Sequence, residues 1–164
     1  MIGILDQWKK RQDSEKPLLV IINTSGGGHR SATFTMSVLQ YLDSITKGSI
    51  MKKTFLINGA SGGMIGATYF RELYLRKQQG SNIHLQDKQY IDDISGDLLN
   101  PIFTSFFARD IISPAQKFTV GTYNYVKDRG YAFEQKLNSN TRGYLNKQLK
   151  DYVNDEKDVY KRQV

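Results

Sequence analysis

The stretch that decides the fold is INGASGGMIGATYFREL, residues 57–73. It follows a β-friendly run, and residues 53–57 predict a strand that leads into an Asn-Gly turn. The apolar residues after the turn occupy most sides of a helix, which predicts a buried helix. Between the two stands Ser61 in the pattern G-x-S-x-G, where a tight turn holds a serine hydroxyl clear of the backbone at a helix N-terminus. We therefore interpret Ser61 as a nucleophile on an elbow built with Gly59, Gly62 and Gly63; a purely structural turn is the alternative.

A second glycine motif lies upstream. The apolar run 18–22 predicts a strand buried on both faces, as in a parallel sheet covered by helices, and it leads into Gly26, Gly27 and Gly28. Consecutive glycines let backbone N–H groups converge on an anion, and the dipole of a following helix favours negative charge. The three glycines are predicted to form an oxyanion hole, with a flexible loop as the alternative.

The helix after this loop carries an apolar stripe at helical spacing, formed by Phe34, Val38, Leu42 and Ile45. The order strand, loop, helix, strand, turn, helix implies a right-handed βαβ unit. Two adjacent parallel strands then bring the glycine loop and the elbow to one edge of the sheet, where open α/β sheets bind ligands.

The rest of the chain is less decisive. Residues 1–16 read as a lead-in helix or linker, residues 87–112 as helical with breaks at 100–101 and 113–114, and residues 130–153 as helical again. The last residues include DVYKRQ, 158–163, which reads back into GAT GTG TAT AAG AGA CAG and resembles a transposase end sequence used in sequencing adapters. We interpret residues 158–164 as an adapter-derived tail, with a charged helix end as the alternative, and expect the natural protein to continue beyond about residue 157.

Composition excludes several classes of site. The chain has no cysteine, which excludes disulfides and thiolate metal sites, and its two histidines disfavour a histidine metal centre. The formal charge of +7 suits phospholipid headgroups or nucleic acid, but the basic residues form no single block, so no nucleic-acid partner is expected. No apolar run approaches the ~20 residues of a membrane span, and the first five residues are too short for a signal-peptide core. We expect a cytoplasmic or peripheral membrane location.

The two motifs carry a family resemblance. SGGGHRSA (25–32) followed by GASGGMIGATYFREL (59–73) resembles the patatin-like phospholipases and, more loosely, the catalytic domain of cytosolic phospholipase A2. The resemblance is tight over residues 17–74, and residues 128–145 are similar to bacterial members. It implies a three-layer α/β fold with a mainly parallel sheet flanked by helices. It also implies a lipid acyl hydrolase with a Ser–Asp dyad, no cofactor and no metal, a lipid or phospholipid substrate, and peripheral membrane contact.

Two positions depart from the family pattern. Ser31 stands where the last glycine of G-x-G-x-x-G belongs, and none of the twelve aspartates precedes a glycine, although the family's dyad aspartate stands in D-G-G or D-G-A. We therefore expect residues 17–157 to be the N-terminal part of a patatin-like catalytic domain, incomplete at the C-terminus and inactive alone. Arg30 is a candidate substrate contact through a lipid phosphate, or else a salt-bridge partner that fixes the loop.

Other functions compete with this interpretation. GASGG is similar to the phosphate loop of short-chain dehydrogenases, and Tyr123 with Lys127 matches Y-x-x-x-K, which would make the chain an NAD(P)-dependent enzyme. The third glycine falls one residue late for that loop, however, and a full strand precedes it. A Ser–His–Asp hydrolase requires an acid and then a histidine after Ser61, but no aspartate separates Ser61 from His84, and His29 is expected to be structural. A catalytically inactive lipid-binding module is the remaining alternative.

Overall fold

The computed structural model describes residues 2–113, 116–148 and 150–152, so the tail hypothesis for residues 158–164 lies outside the described residues. The chain divides into two compact units, Met1–Ser95 with Asn146–Val164, and Gly96–Leu145. It is an α/β chain, 56% helical and 13% strand, with a small parallel sheet.

The first unit contains two parallel strands and most of the helices. Thr24 lies opposite Gly59 in the strand register, so β1 and β2 end side by side and the predicted parallel pairing is confirmed. The elements are α1 Ile2–Lys10, β1 Val20–Thr24, α2 Gly28–Ile45, α3 Ile50–Lys53, β2 Thr54–Gly59, α4 Ser61–Gln78 and α5 Gln89–Ile94.

Helix α4 is the centre of this unit. Tyr69, Phe70, Leu73 and Leu75 on it have no solvent exposure, which confirms the predicted buried helix. A helix that is apolar on most sides is stable only when neighbouring elements cover it on most sides.

The predicted packing face of α2 is wrong. Phe34 is 69% exposed and Ile45 57% exposed, whereas Met36 and Leu39 are fully buried. The reason is a close approach of α2 to α4 at Gly66, where an added Cβ would overlap the carbonyl oxygen of Ala32. Because small groups allow this approach, the face around Ala32 is turned inward and the stripe begun by Phe34 faces solvent.

The predicted burial of β1 on both faces is also wrong. Leu18 is 66% exposed, and the paired residues Ile21 and Leu56 are each about half exposed. The opposite face is covered, and Trp8 of α1 packs edge-on against Phe55 of β2 with ring centres 6.3 Å apart. Among the described residues, helices therefore cover this two-stranded sheet on one face and leave the other exposed.

A buried carboxylate ties the end of the described chain to α4. Glu72 is fully buried and forms ion pairs with Arg76 Nε at 2.6 Å and Lys147 Nζ at 3.0 Å. Burial and the adjacent Glu72 charge raise the pKa of Tyr152 to about 12. The negative charge of Glu72 is thus compensated by two cations, and the Tyr152 phenol forms a hydrogen bond to it.

The second unit is a helical layer with a β-hairpin. Its elements are α6 Leu99–Ser105, a π-helix Phe106–Ile112, β3 Lys117–Val120, β4 Tyr123–Val126 and α7 Arg129–Asn140. The hairpin turns at Gly121, whose φ of +61° favours glycine. The sequence interpretation missed this hairpin.

The helix boundaries in this unit also differ from the predicted ones. Pro101 lies in the first turn of α6, where a missing N–H is tolerated, and the helical run is broken at residues 95–98 instead. The Asp97 carboxylate caps α6 by accepting the N–H of Leu99 at 2.9 Å, and backbone hydrogen bonds lower the pKa of Asp97. Helix α7 ends near Asn140 and not at 153, because Gly143 at φ +73° donates its N–H back to the Asn138 carbonyl.

Candidate active site

Ser61 lies at the junction of β2 and α4. Its φ is +50°, in the left-handed region that L-residues other than glycine rarely adopt. This conformation costs about 1–2 kcal/mol at a residue with a Cβ, and such residues persist where the surrounding structure over-determines them. The Ser61 side chain is exposed. The backbone therefore has the geometry of an elbow that presents a hydroxyl to solvent.

The glycines beside Ser61 are required by close contacts. A Cβ on Gly59 would overlap Oγ1 of Thr24, and a Cβ on Gly62 would overlap the carbonyl oxygen of Gly28. A Cβ on Gly63 would likewise overlap a carbonyl oxygen, that of Ser25. Any side chain at these positions would separate the elbow from the end of β1 and the glycine loop, so the two motifs fit together only as glycines.

The glycine loop lies directly beside the serine. A Cβ built on Gly26 would be 3.5 Å from Cβ of Ser61. Gly27 and Gly28 have φ values of +143° and +62°, so both need the freedom of glycine. The structure thus brings together the three predicted loop glycines and the predicted nucleophile.

Two helix N-termini meet at this edge of the sheet. α2 begins at Gly28 and α4 at Ser61, and the first N–H groups of a helix have no partner within it. These groups carry partial positive charge, which favours an anion nearby. The arrangement can stabilise negative charge that develops on an atom close to Ser61.

The sequence interpretation did not predict that two hydroxyl side chains hold the site together. Ser31 Oγ donates to the Ser25 carbonyl oxygen at 2.6 Å, closing the glycine loop, and Thr24 Oγ1 donates to the Asn58 carbonyl oxygen at 3.5 Å, linking the strand ends. Ser31 was noted only as a departure from a glycine pattern. A hydroxyl near the start of a helix commonly bonds the preceding loop, and that signal could have found it.

His29 and Arg30 occupy the start of α2. The His29 Nε2 atom lies 2.8 Å from the carbonyl oxygen of Ile94, so this nitrogen carries a proton and donates it to the end of α5. This contact supports the structural role expected for His29. Arg30 is exposed and forms no ion pair with any residue that the structure describes. With His29 and Phe34 it borders a depression of about 360 Å³.

No base reaches Ser61 among residues 2–113, 116–148 and 150–152. Within these ranges the Ser61 hydroxyl has no hydrogen-bond partner. Across the same ranges, no three His, Asp or Glu side chains are placed to hold a metal ion, and no helix is long and apolar enough to cross a membrane. The described site therefore consists of an exposed serine on a left-handed backbone and the glycine loop beside it.

Comparison of the chain with models of known families, with curated proteins and with solved structures finds no match.

Proposed function

We propose that this chain carries the nucleophile half of a patatin-like lipid acyl hydrolase. The observation that carries the proposal is the left-handed backbone of Ser61 in contact with the glycine loop. Lys47 and Arg142 have similar positive φ values near helix ends, and Ser61 differs from them because it lies beside a loop of N–H donors. The family resemblance of the two motifs adds the substrate class, a lipid or phospholipid ester met at a membrane surface.

The proposed reaction follows from these positions. Ser61 Oγ attacks the ester carbonyl carbon while its proton passes to a base. N–H groups of the Gly26–Gly28 loop and the first turn of α4 hold the tetrahedral oxyanion. The carbonyl re-forms as the alcohol leaves with a proton, and water then releases the acid from the acyl-serine. The resemblance implies that the base is an aspartate, expected in natural sequence downstream of these residues.

The dehydrogenase alternative is less well supported. Tyr123 and the three residues after it form β4, so the pair with Lys127 is not on a helix. Residues four apart on a helix are neighbours, whereas along a strand their Cα atoms are about 13 Å apart. The Y-x-x-x-K pair is therefore not placed to act as one unit.

The first test is covalent labelling of Ser61. In a form extended with natural downstream sequence, a fluorophosphonate ester should label Ser61 and hydrolysis of a p-nitrophenyl ester should follow. Ser61→Ala should abolish both, and Ser81→Ala, which alters a serine exposed on a loop, should change neither. Labelling that survives Ser61→Ala would rule out the assignment. A saturable NADH signal would instead favour the dehydrogenase, and lipid binding without serine-dependent turnover would favour an inactive module.

The second test concerns the glycine loop and the missing base. Gly27→Val should lower kcat by about 10²–10³-fold, as the loss of one oxyanion donor does. An unchanged kcat in a folded variant would show that the loop takes no part in the mechanism.

Residues 1–157 alone should show no serine-dependent turnover, because an unassisted hydroxyl is scarcely ionised at neutral pH. Turnover equal to that of the extended form would show that the base lies within these residues.

A further inference from the structure

A groove in the second unit has the properties of a ligand site. It lies between the α6 and π-helix segment and α7, has a volume of about 630 Å³, and is lined only by residues of this unit. Small-molecule sites typically enclose about 300–1,000 Å³. The groove also lies next to a π-helix, and π-helical turns occur frequently at functional sites.

The walls of the groove are largely apolar. Pro101, Ala108, Ala132 and the ring of Tyr131 supply apolar surface, and the uncharged polar residues Asn100, Thr104, Gln135 and Ser139 also line the groove. Helical backbone offers few free hydrogen-bonding groups to a ligand, so these walls suit a hydrocarbon chain better than a polar molecule.

The charges of the groove have one sign. Arg109 and Lys136 line it, and no acidic side chain does so among the described residues. Neither cation forms an ion pair within the part of the chain that the structure describes, although the Lys136 charge is close enough to Asp97 to contribute to lowering the pKa of that carboxyl. Arg109 instead lies over the Tyr131 ring, with its guanidinium carbon 5.7 Å from the ring centre.

A buried hydroxyl gives independent evidence. Ser105 lines the groove, is 4% exposed, and its Oγ has no hydrogen-bond partner among the described residues. Buried polar atoms are nearly always paired, so the unpaired hydroxyl of a residue that lines the groove points to a bound ligand or an ordered water as its partner.

From the apolar walls, the two cations that line the groove without an ion pair, and the orphaned hydroxyl, we infer that this groove binds a long-chain carboxylate. The chain would lie along Ala108 and Ala132, and the carboxylate would accept hydrogen bonds from Arg109 and Lys136. The guanidinium fork of arginine matches the two oxygens of a carboxylate. This site is independent of the proposed hydrolase function, since Ser61 takes no part in it.

The test is calorimetric titration of the intact chain carrying Ser61→Ala, with decanoate below its micellar concentration. Decan-1-ol supplies the same chain without charge, and acetate supplies the charge without the chain. We expect saturable decanoate binding at one site, about tenfold weaker binding of decan-1-ol, and no measurable binding of acetate, because a hydrogen bond to a charged group contributes roughly a factor of ten or more.

Four variants test whether decanoate binds in this groove. Arg109→Gln and Lys136→Gln should each weaken decanoate binding about tenfold. Ala132→Phe should fill the groove and abolish binding. Lys117→Gln is the control, because it removes an exposed cation outside the groove, and it should have no effect. If Ala132→Phe fails to fold, the two cation variants judged against Lys117→Gln decide the question. The inference is overturned by equal binding of decan-1-ol, by cation variants that match Lys117→Gln, or by the absence of saturable binding.

Discussion

The substitution Gly66→Ala tests the close approach of α2 and α4. A Cβ on Gly66 would overlap the carbonyl oxygen of Ala32, which belongs to helical backbone and cannot move aside alone. Alanine is favoured over glycine in a helix interior by about 1 kcal/mol. Overpacking of a tight core costs about 1–3 kcal/mol, and the upper end applies here because the neighbour is backbone and Ala32 is only 2% exposed. The net expectation is a loss of about 1–2 kcal/mol in the free energy of unfolding.

The assay is urea or thermal unfolding followed by circular dichroism, with Gly3→Ala as the matched control. Gly3 also lies in a helix, but nothing lies within 4 Å of a Cβ built there, so this change should be neutral or stabilising. In a chain of this size, each kcal/mol shifts the melting temperature by about 2–4 °C. A Gly66→Ala protein at least as stable as the Gly3→Ala protein would refute the close approach, and with it the reason given for the packing face of α2.

Three further predictions concern charged and phenolic groups. Glu72→Gln should lower the free energy of unfolding by about 3 kcal/mol, because it leaves the two cations without their buried partner; urea unfolding measures this, and exposed Glu134→Gln should change little. Because the pKa of Asp97 is lowered, its contribution to the free energy of unfolding is present above pH 3.8 and lost as the pH falls below that value. Asp97→Asn should flatten this acid dependence of stability. An ordinary pKa for Asp97 in an NMR titration would contradict its hydrogen bonds to the start of α6. The pKa of Tyr152 is raised from 10.0 to about 12, so its contribution to the free energy of unfolding is present below pH 10.0 and lost as the pH rises towards 12. The absorbance difference between wild type and Tyr152→Phe should show phenolate forming near pH 12. Phenolate formation near pH 10 would contradict the burial of Tyr152.

The part of the fold that could be predicted from sequence is the part fixed by local chemistry. A strand that ends in glycines beside a helix start specifies the elbow at Ser61 and the loop at Gly26–Gly28, because backbone conformation there depends on the residues themselves. The parallel pairing of β1 and β2 follows from the order of elements. These inferences place the loop and the serine at one edge.

The errors lie where distant parts of the chain decide the outcome. The buried face of α2 depends on Gly66, more than thirty residues from Phe34, so the stripe within α2 was insufficient. The exposure of Ile21 depends on what covers the sheet, which a five-residue apolar run does not specify. A catalytic base is non-local in the same sense, since it meets the serine only through the fold.

The hairpin was missed for a different reason. Residues 117–126 are rich in β-branched and aromatic side chains on both sides of Gly121, and that composition is typical of two short strands. Tyr123 was interpreted as part of a catalytic motif, whereas Gly121, two residues before it, is the turn residue.

The left-handed backbone of Ser61 has a consequence for how this position can evolve. Glycine adopts that conformation without strain, so Ser61→Gly would make the protein more stable while removing the hydroxyl. Random substitution followed by selection for thermal stability alone should therefore replace the serine, whereas selection for its chemistry should retain it. Serine at this position costs stability relative to glycine, so a lineage released from the need for that hydroxyl should lose it early.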